Sequence, residues 1–154
     1  MTAYFLDSSI LVKRYITERG TVWVQERVDP DIGHLLFIAR ITWIEVLSAF
    51  ARRQREGVLD AAESSQLVDL FRADLMEQYQ VVEILPALAE TAGQLILQHP
   101  LRAYDAVQLA AALQVQTALS EAENTNLIFL CADERLLAVA NTVGLATDNP
   151  NLYS

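Results

Sequence analysis

Four short strand-like runs, Tyr4–Leu6, His34–Ala39, Gln80–Leu85 and Leu127–Ala132, are spaced along the chain with helical patterns between them. Apolar character held over so few residues marks a strand buried on both faces. Strands that alternate with helices pair in parallel through right-handed crossovers, and the helices then cover both faces of the sheet. The expected fold is therefore α/β in three layers, α/β/α, around a parallel sheet. That sheet has four strands, or five if Leu145–Thr147 adds a short last one.

The intervening segments carry the signals of helices. Ile10–Ile16 and Thr21–Val28 are short ones, and Asp29-Pro30-Asp31-Ile32-Gly33 is a turn. From about Thr42 to Arg55, Trp43, Val46, Leu47 and Phe50 form an apolar stripe, closed by Gly57. Asp60 and Glu63 have capping-box spacing and open a helix to about Tyr79, with Leu67, Leu70, Phe71 and Leu75 expected on its buried face. Pro86 begins a helix that runs to Gln98, and another runs from Ala103 through Leu119. Asp133–Val143 is the last, ended by Gly144. With no repeat and no linker long enough to divide the chain, a single domain over residues 1–154 is expected.

Composition narrows the class. An apolar fraction of 53% with five Gly and four Pro suits a packed core and argues against disorder. No apolar run reaches the ~18 residues of a membrane span, and the first residues lack a basic leader, so neither a membrane nor a signal peptide is expected. Cys131 is the sole cysteine, which excludes internal disulfides and fits a reducing, cytoplasmic setting. The net charge of −9 speaks against a polyanionic partner, but its distribution is uneven. Residues 1–56 carry eight of the eleven basic side chains and a balance of +1; residues 57–154 carry −10. A polyanion would have to meet Lys13, Arg14, Arg40, Arg52, Arg53 and Arg55.

Most of the twenty acids need no explanation, and those at 18, 26, 63, 69, 74, 77, 121 and 123 are assigned to polar helix faces. Four others sit among apolar residues or at strand ends: Asp7, Glu45, Asp105 and Asp133. Asp7 and Asp133 each end a strand and precede a helix, where an aspartate caps the helix N-terminus. In a parallel sheet both strand ends fall on one edge, so the two carboxylates can be neighbours. Glu45 borders the apolar stripe of its helix, and Asp105 enters Ala106–Leu113, a run apolar almost all round. An acid in such surroundings needs a donor, a cation or a metal. Four carboxylates on one edge would repel one another, and a divalent ion removes the conflict. Oxygen ligands suit Mg²⁺ or Mn²⁺; two histidines and one cysteine offer no zinc-type cluster.

The pieces Tyr4–Leu11, Arg40–Val46, Leu101–Ala110 and Cys131–Leu137, with Gly144-Leu145 and Asn149-Pro150, resemble the PIN-domain nucleases, in particular the VapC-type toxins of bacterial toxin–antitoxin pairs. The resemblance spans essentially the whole chain. It implies a PIN-like fold with an acidic metal site of Asp7, Glu45, Asp105 and Asp133, and Ser9 as the hydroxyl beside it. It further implies Mg²⁺- or Mn²⁺-dependent endoribonuclease activity, in the toxins often on a tRNA or rRNA loop, a small antitoxin as inhibitor, and a homodimer. Two positions depart from the pattern: Ala132 stands where a hydroxyl is frequent before the fourth acid, and Gln108 where relatives often carry His. Lys13 and Arg14 could meet an RNA backbone, and Arg102 could neutralise an acid.

Two other readings belong beside it. A haloacid-dehalogenase-like phosphatase also places an Asp after its first strand, but its second Asp is Ser9 here and the only lysine is Lys13. An inactive scaffold that binds a protein partner would use the same acids merely as helix caps.

Overall fold

The computed structural model describes residues 2–122 and 125–153. The chain runs β1 (Ala3–Leu6), α1 (Ser8–Tyr15), α2 (Thr21–Val28), β2 (Leu35–Ala39), α3 (Ile41–Arg55), α4 (Ala61–Glu77), β3 (Tyr79–Val82), α5 (Pro86–Gln98), α6 (Ala103–Ala122), β4 (Leu127–Leu130), α7 (Glu134–Thr142) and β5 (Ala146–Asp148), then a 3-10 turn at Pro150–Tyr153. The five strands lie in the order β3-β2-β1-β4-β5, and every neighbouring pair is parallel. The α/β/α expectation is met, with the fifth strand present.

Alternation along β1 builds the layers. Ala3 and Phe5 point to one side, where they join a core with Phe129 of β4 and with Leu88, Ala92, Leu109, Ala111, Leu136 and Ala140 of α5, α6 and α7. Tyr4 and Leu6 point to the other, into a core with Ile10, Trp23, Val46, Phe50 and Phe71 of α1 to α4. Phe5 and Phe129 are partners in the strand register and stack with ring centroids 5.8 Å apart. The stretch Ala106–Ala112 of α6 is buried nearly all round, its small alanines at 106, 110, 111 and 112 suiting close packing on the sheet.

Strand ends and one helix face differ from expectation, and β4 stops at Leu130 where Ala132 was expected. Strand β3 spans Tyr79–Val82, where Gln80–Leu85 was expected. The Val82 carbonyl takes the Arg40 amide, and Glu83 beyond it is turned to the Arg40 side chain. Leu85, preceding a proline, is held extended as the N-cap of α5 and is exposed with Ile84. On α4, Leu70 is exposed rather than buried, since it sits one residue off the stripe made by Ser64, Phe71 and Asp74. Among the described residues no helix is long and apolar enough to cross a membrane.

Candidate functional site

The strand order dictates where a site can form. From β1 the chain steps through β2 to β3 on one side, then returns to β4 and β5 on the other. A crevice opens beyond the carboxyl ends of two parallel strands where the order reverses, here between β1 and β4. Asp7 follows β1 directly, and its amide donates to the Leu130 carbonyl at 3.1 Å, extending the β1–β4 pairing by one bond. Asp133 follows β4 by three residues.

Asp7 is only 6% exposed. It caps α1 through Oδ2, which accepts the Ser9 amide at 3.2 Å, the Ser9 hydroxyl at 2.7 Å and the Cys131 thiol at 3.5 Å. Ser9 Oγ also accepts the Ala132 amide at 3.0 Å, and Cys131 Sγ accepts the Asp133 amide at 3.3 Å. Ser9 and Cys131 thus tie the loop after β1 to the loop after β4. Burial pushes the Asp7 carboxyl up, with the Ser9 and Cys131 bonds pulling it back. Burial also pushes the Cys131 thiol up, and Asp7 adds to this, so the sulfur is a neutral donor.

Glu45 lies in α3, half-buried. Its Oε1 accepts Gln108 Nε2 at 2.7 Å, and the same nitrogen donates to Thr42 Oγ1 at 2.7 Å. Gln108 is fully buried in α6 and its own Oε1 has no partner. Burial raises Glu45 to about 7; the Asp7 and Asp105 charges push the same way, and the Gln108 bond opposes them. Asp105, in the first turn of α6, is raised by burial and then by Asp7 and Asp133, with Arg102 pulling it down. Asp133 is exposed and caps α7, its Oδ1 accepting the Arg135 amide at 2.9 Å.

All four acids therefore face one region, coupled by like-charge repulsion: Asp7, Glu45 and Asp105 mutually, Asp133 through Asp105. Their carboxylate oxygens fit a hard divalent cation in donor chemistry, and the repulsion is of the kind such a cation relieves. They are not a closed ligand set: among the described residues no three Asp, Glu, His or Cys side chains converge enough to hold a metal ion. A cleft of about 630 Å³ opens beside them, lined by Ser8, Ser9, Glu45, Tyr104, Arg52 and Arg53 among others.

The basic residues of α1 are not available to a polyanion. Lys13 is 5% exposed, its Nζ bound to Glu18 at 3.1 Å and to the Arg19 carbonyl at 2.7 Å. Arg14 pairs with Asp74 at 3.6 Å and with the Tyr79 hydroxyl, and Tyr15 Oη donates to Asp74 at 2.7 Å. The short helix α1 is enclosed by its neighbours, so its charged heads find partners inside. Asp74 was assigned to a polar face; it is buried, three residues after Phe71 on the stripe of α4. That spacing was the available signal. The Arg102 guanidinium acts on Asp105 and Asp133 through its field while the Arg102 backbone bonds the Asp105 carboxylate, and Arg102 Nη1 donates to the Tyr104 hydroxyl at 2.9 Å. His34 serves structure: its Nδ1 accepts the Thr2 amide at 3.1 Å.

The sequence profile of the PIN domain family matches residues 4–141. The chain is 28% identical over 148 residues to "Ribonuclease VapC47" of Mycobacterium tuberculosis (strain CDC 1551 / Oshkosh), covering 95% of this chain and 96% of that one. In fold it is similar to FitAcB from Neisseria gonorrhoeae, with a TM-score of 0.62 at 14% identity over 96% of this chain and 97% of that one. It is also similar to a toxin–antitoxin complex from Klebsiella pneumoniae, with a TM-score of 0.59 at 21% identity over 97% and 98%.

Proposed function

Since the chain belongs to the PIN domain family, we propose that it is a Mg²⁺- or Mn²⁺-dependent endoribonuclease, the toxin of a toxin–antitoxin pair. The observation that carries this reading is the set Asp7, Glu45 and Asp105 at the β1–β4 switch point, all three raised by burial, with neighbouring acids adding to the rise at Glu45 and Asp105. The similarity to a ribonuclease supports RNA as substrate, and the toxin–antitoxin complex among the similar folds supports a small antitoxin partner. A homodimer and a cytoplasmic setting belong to the same proposal.

Asp7, Glu45 and Asp105, with Asp133 at the rim, would hold the ion. When bound, such an ion acidifies a water and stabilises charge on a phosphodiester under attack. The chain's own residues set this up. Ser9 and Cys131 fix Oδ2 of Asp7, Gln108 fixes Oε1 of Glu45, and burial pushes all three carboxyls up, Glu45 to about 7. Asp133, exposed and bound to the Arg135 amide of α7, contributes charge that acts on Asp105.

The test is cleavage of RNA by purified protein with Mg²⁺, with EDTA, and after Asp7→Asn or Asp105→Asn. Activity is expected to need the metal and to fall by at least about 100-fold in either folded variant. Cleavage in EDTA, or full activity in both variants, refutes the proposal.

One observation favours a second reading, a non-catalytic scaffold: Asp7 and Asp133 already serve as helix caps. Isothermal titration with Mn²⁺ separates the two, because a scaffold whose acids only cap helices binds none at millimolar concentration. The phosphatase reading gains nothing, as Lys13 of α1 is committed to Glu18 in the loop that follows.

A further inference from the structure

Of the four acids, Asp133 is the exposed one, and it sits in the short loop between the end of β4 at Leu130 and the start of α7 at Glu134. Within the loop, Cys131 Sγ accepts the Asp133 amide at 3.3 Å. A carboxylate so placed serves a metal site only if residues outside the loop lock its position.

The last strand supplies that lock. As β5 ends, two consecutive residues reach back to the loop, one on each side of Asp133. The Asp148 carbonyl accepts the Cys131 amide at 3.2 Å. The Asn149 side chain donates from Nδ2 to Glu134 Oε1 at 2.7 Å. Glu134 opens α7, so this bond fixes the turn that Asp133 caps. Asn149 itself is only 4% exposed. Its Oδ1 accepts the Asn151 amide at 2.9 Å, which leaves Nδ2 aimed at Glu134. Aspartate could accept the first bond but not donate the second, so the site calls for an amide.

The segment carrying Asn149 is anchored from the far side as well. A Cβ at Gly20 would lie 2.9 Å from Pro150 Cβ, so glycine there lets the residue after Asn149 pack on the turn that opens α2. Tyr153 then stacks on Trp23 with ring centroids 4.8 Å apart.

We propose that Asn149 is a positioning residue of the acid site: through Glu134 it sets the first turn of α7 and with it the place of the Asp133 carboxylate. The proposal rests on the ribonuclease reading, in which Asp133 serves the ion. Asn149 acts at one remove, and a partner of this kind tunes how tightly the acids hold a cation.

The experiment combines isothermal titration with Mn²⁺ and amide hydrogen exchange by NMR on the metal-free protein. Asn149→Ala and Glu134→Ala are each expected to weaken Mn²⁺ about tenfold. The double variant is expected to be no weaker than either single one, because both remove the same bond. Without metal, the Asp133 and Arg135 amides are expected to exchange faster in both. Adding Asn149→Ala to Asp133→Asn is expected to cost no further affinity. Tyr153→Ala, which loosens the same segment without touching Glu134, is expected to lower Tm and keep the Mn²⁺ affinity. Should Asn149→Ala fail to fold, Glu134→Ala, at an exposed position, decides the matter alone.

Wild-type affinity in these two variants overturns the proposal and leaves the ribonuclease reading standing. So does a loss that persists in full beside Asp133→Asn, or an equal loss in Tyr153→Ala, since either makes Asn149 a general tie of the chain end. A wild-type protein that binds no Mn²⁺ overturns the ribonuclease reading, and the role of Asn149 with it.

Discussion

Gln108 shows how one uncharged side chain can govern a charged one. Its Nε2 serves both Thr42 and Glu45, and its own carbonyl oxygen is left without a partner in the core. Leucine at this position removes two hydrogen bonds, each worth about 1 kcal/mol net, but also removes a buried unpaired oxygen that costs a similar amount. Gln108→Leu is therefore expected to change stability by no more than about 1 kcal/mol by urea denaturation, while freeing Glu45. The Mg²⁺ concentration for half-maximal cleavage is expected to rise several-fold. An unchanged metal requirement would show that Glu45 is held adequately by other contacts.

At the scale of elements, the buried group Arg14, Tyr15, Asp74 and Tyr79 joins α1, α4 and β3. Removing one partner of a buried ion pair leaves the other uncompensated, at a cost of about 3 kcal/mol. Asp74→Ala is expected to lower the urea midpoint accordingly, while Glu77→Ala on the exposed side of α4 leaves it in place. Cleavage per folded molecule is expected to stay at the wild-type level in Asp74→Ala, since this group lies outside the acid cleft. A loss of activity without a loss of stability would mean that α1 transmits changes at Arg14 to Asp7.

At the scale of the molecule, the raised acids couple folding to pH. The unfolded chain releases these protons near the ordinary carboxylate range, whereas folded Glu45 keeps its proton up to about 7, and Asp7 and Asp105 are raised as well. A group of this kind contributes stability below its unfolded pKa and loses it as pH rises through its folded pKa. The metal-free protein is expected to melt at lower temperature at about pH 8 than at about pH 5. Adding Mg²⁺ at the higher pH is expected to recover the difference by binding the folded state. Calorimetry in EDTA checks this, with Glu45→Gln as the variant whose profile is flatter. A Tm that rises across the window contradicts it.

The local elements follow from the chain alone, because short apolar runs, caps such as Asp60 with Glu63, and Pro86 at a helix start act over a few residues. Their alternation also fixes a parallel sheet between helix layers. The acids at 7 and 133 are visible for the same reason, each standing between a strand and the helix it caps. What the linear order does not carry is which side chains meet across elements. Lys13 and Arg14 look like a basic helix end and are paired inward; Asp74 looks solvated and is buried. Gln108 and Glu45 are sixty-three residues apart, yet share a hydrogen bond. Burial and pairing of a charge depend on which surfaces close over it, and those come from strand order and helix packing, which no local pattern encodes. Asp7 is both cap and candidate ligand because the β1–β4 reversal brings the other acids to it.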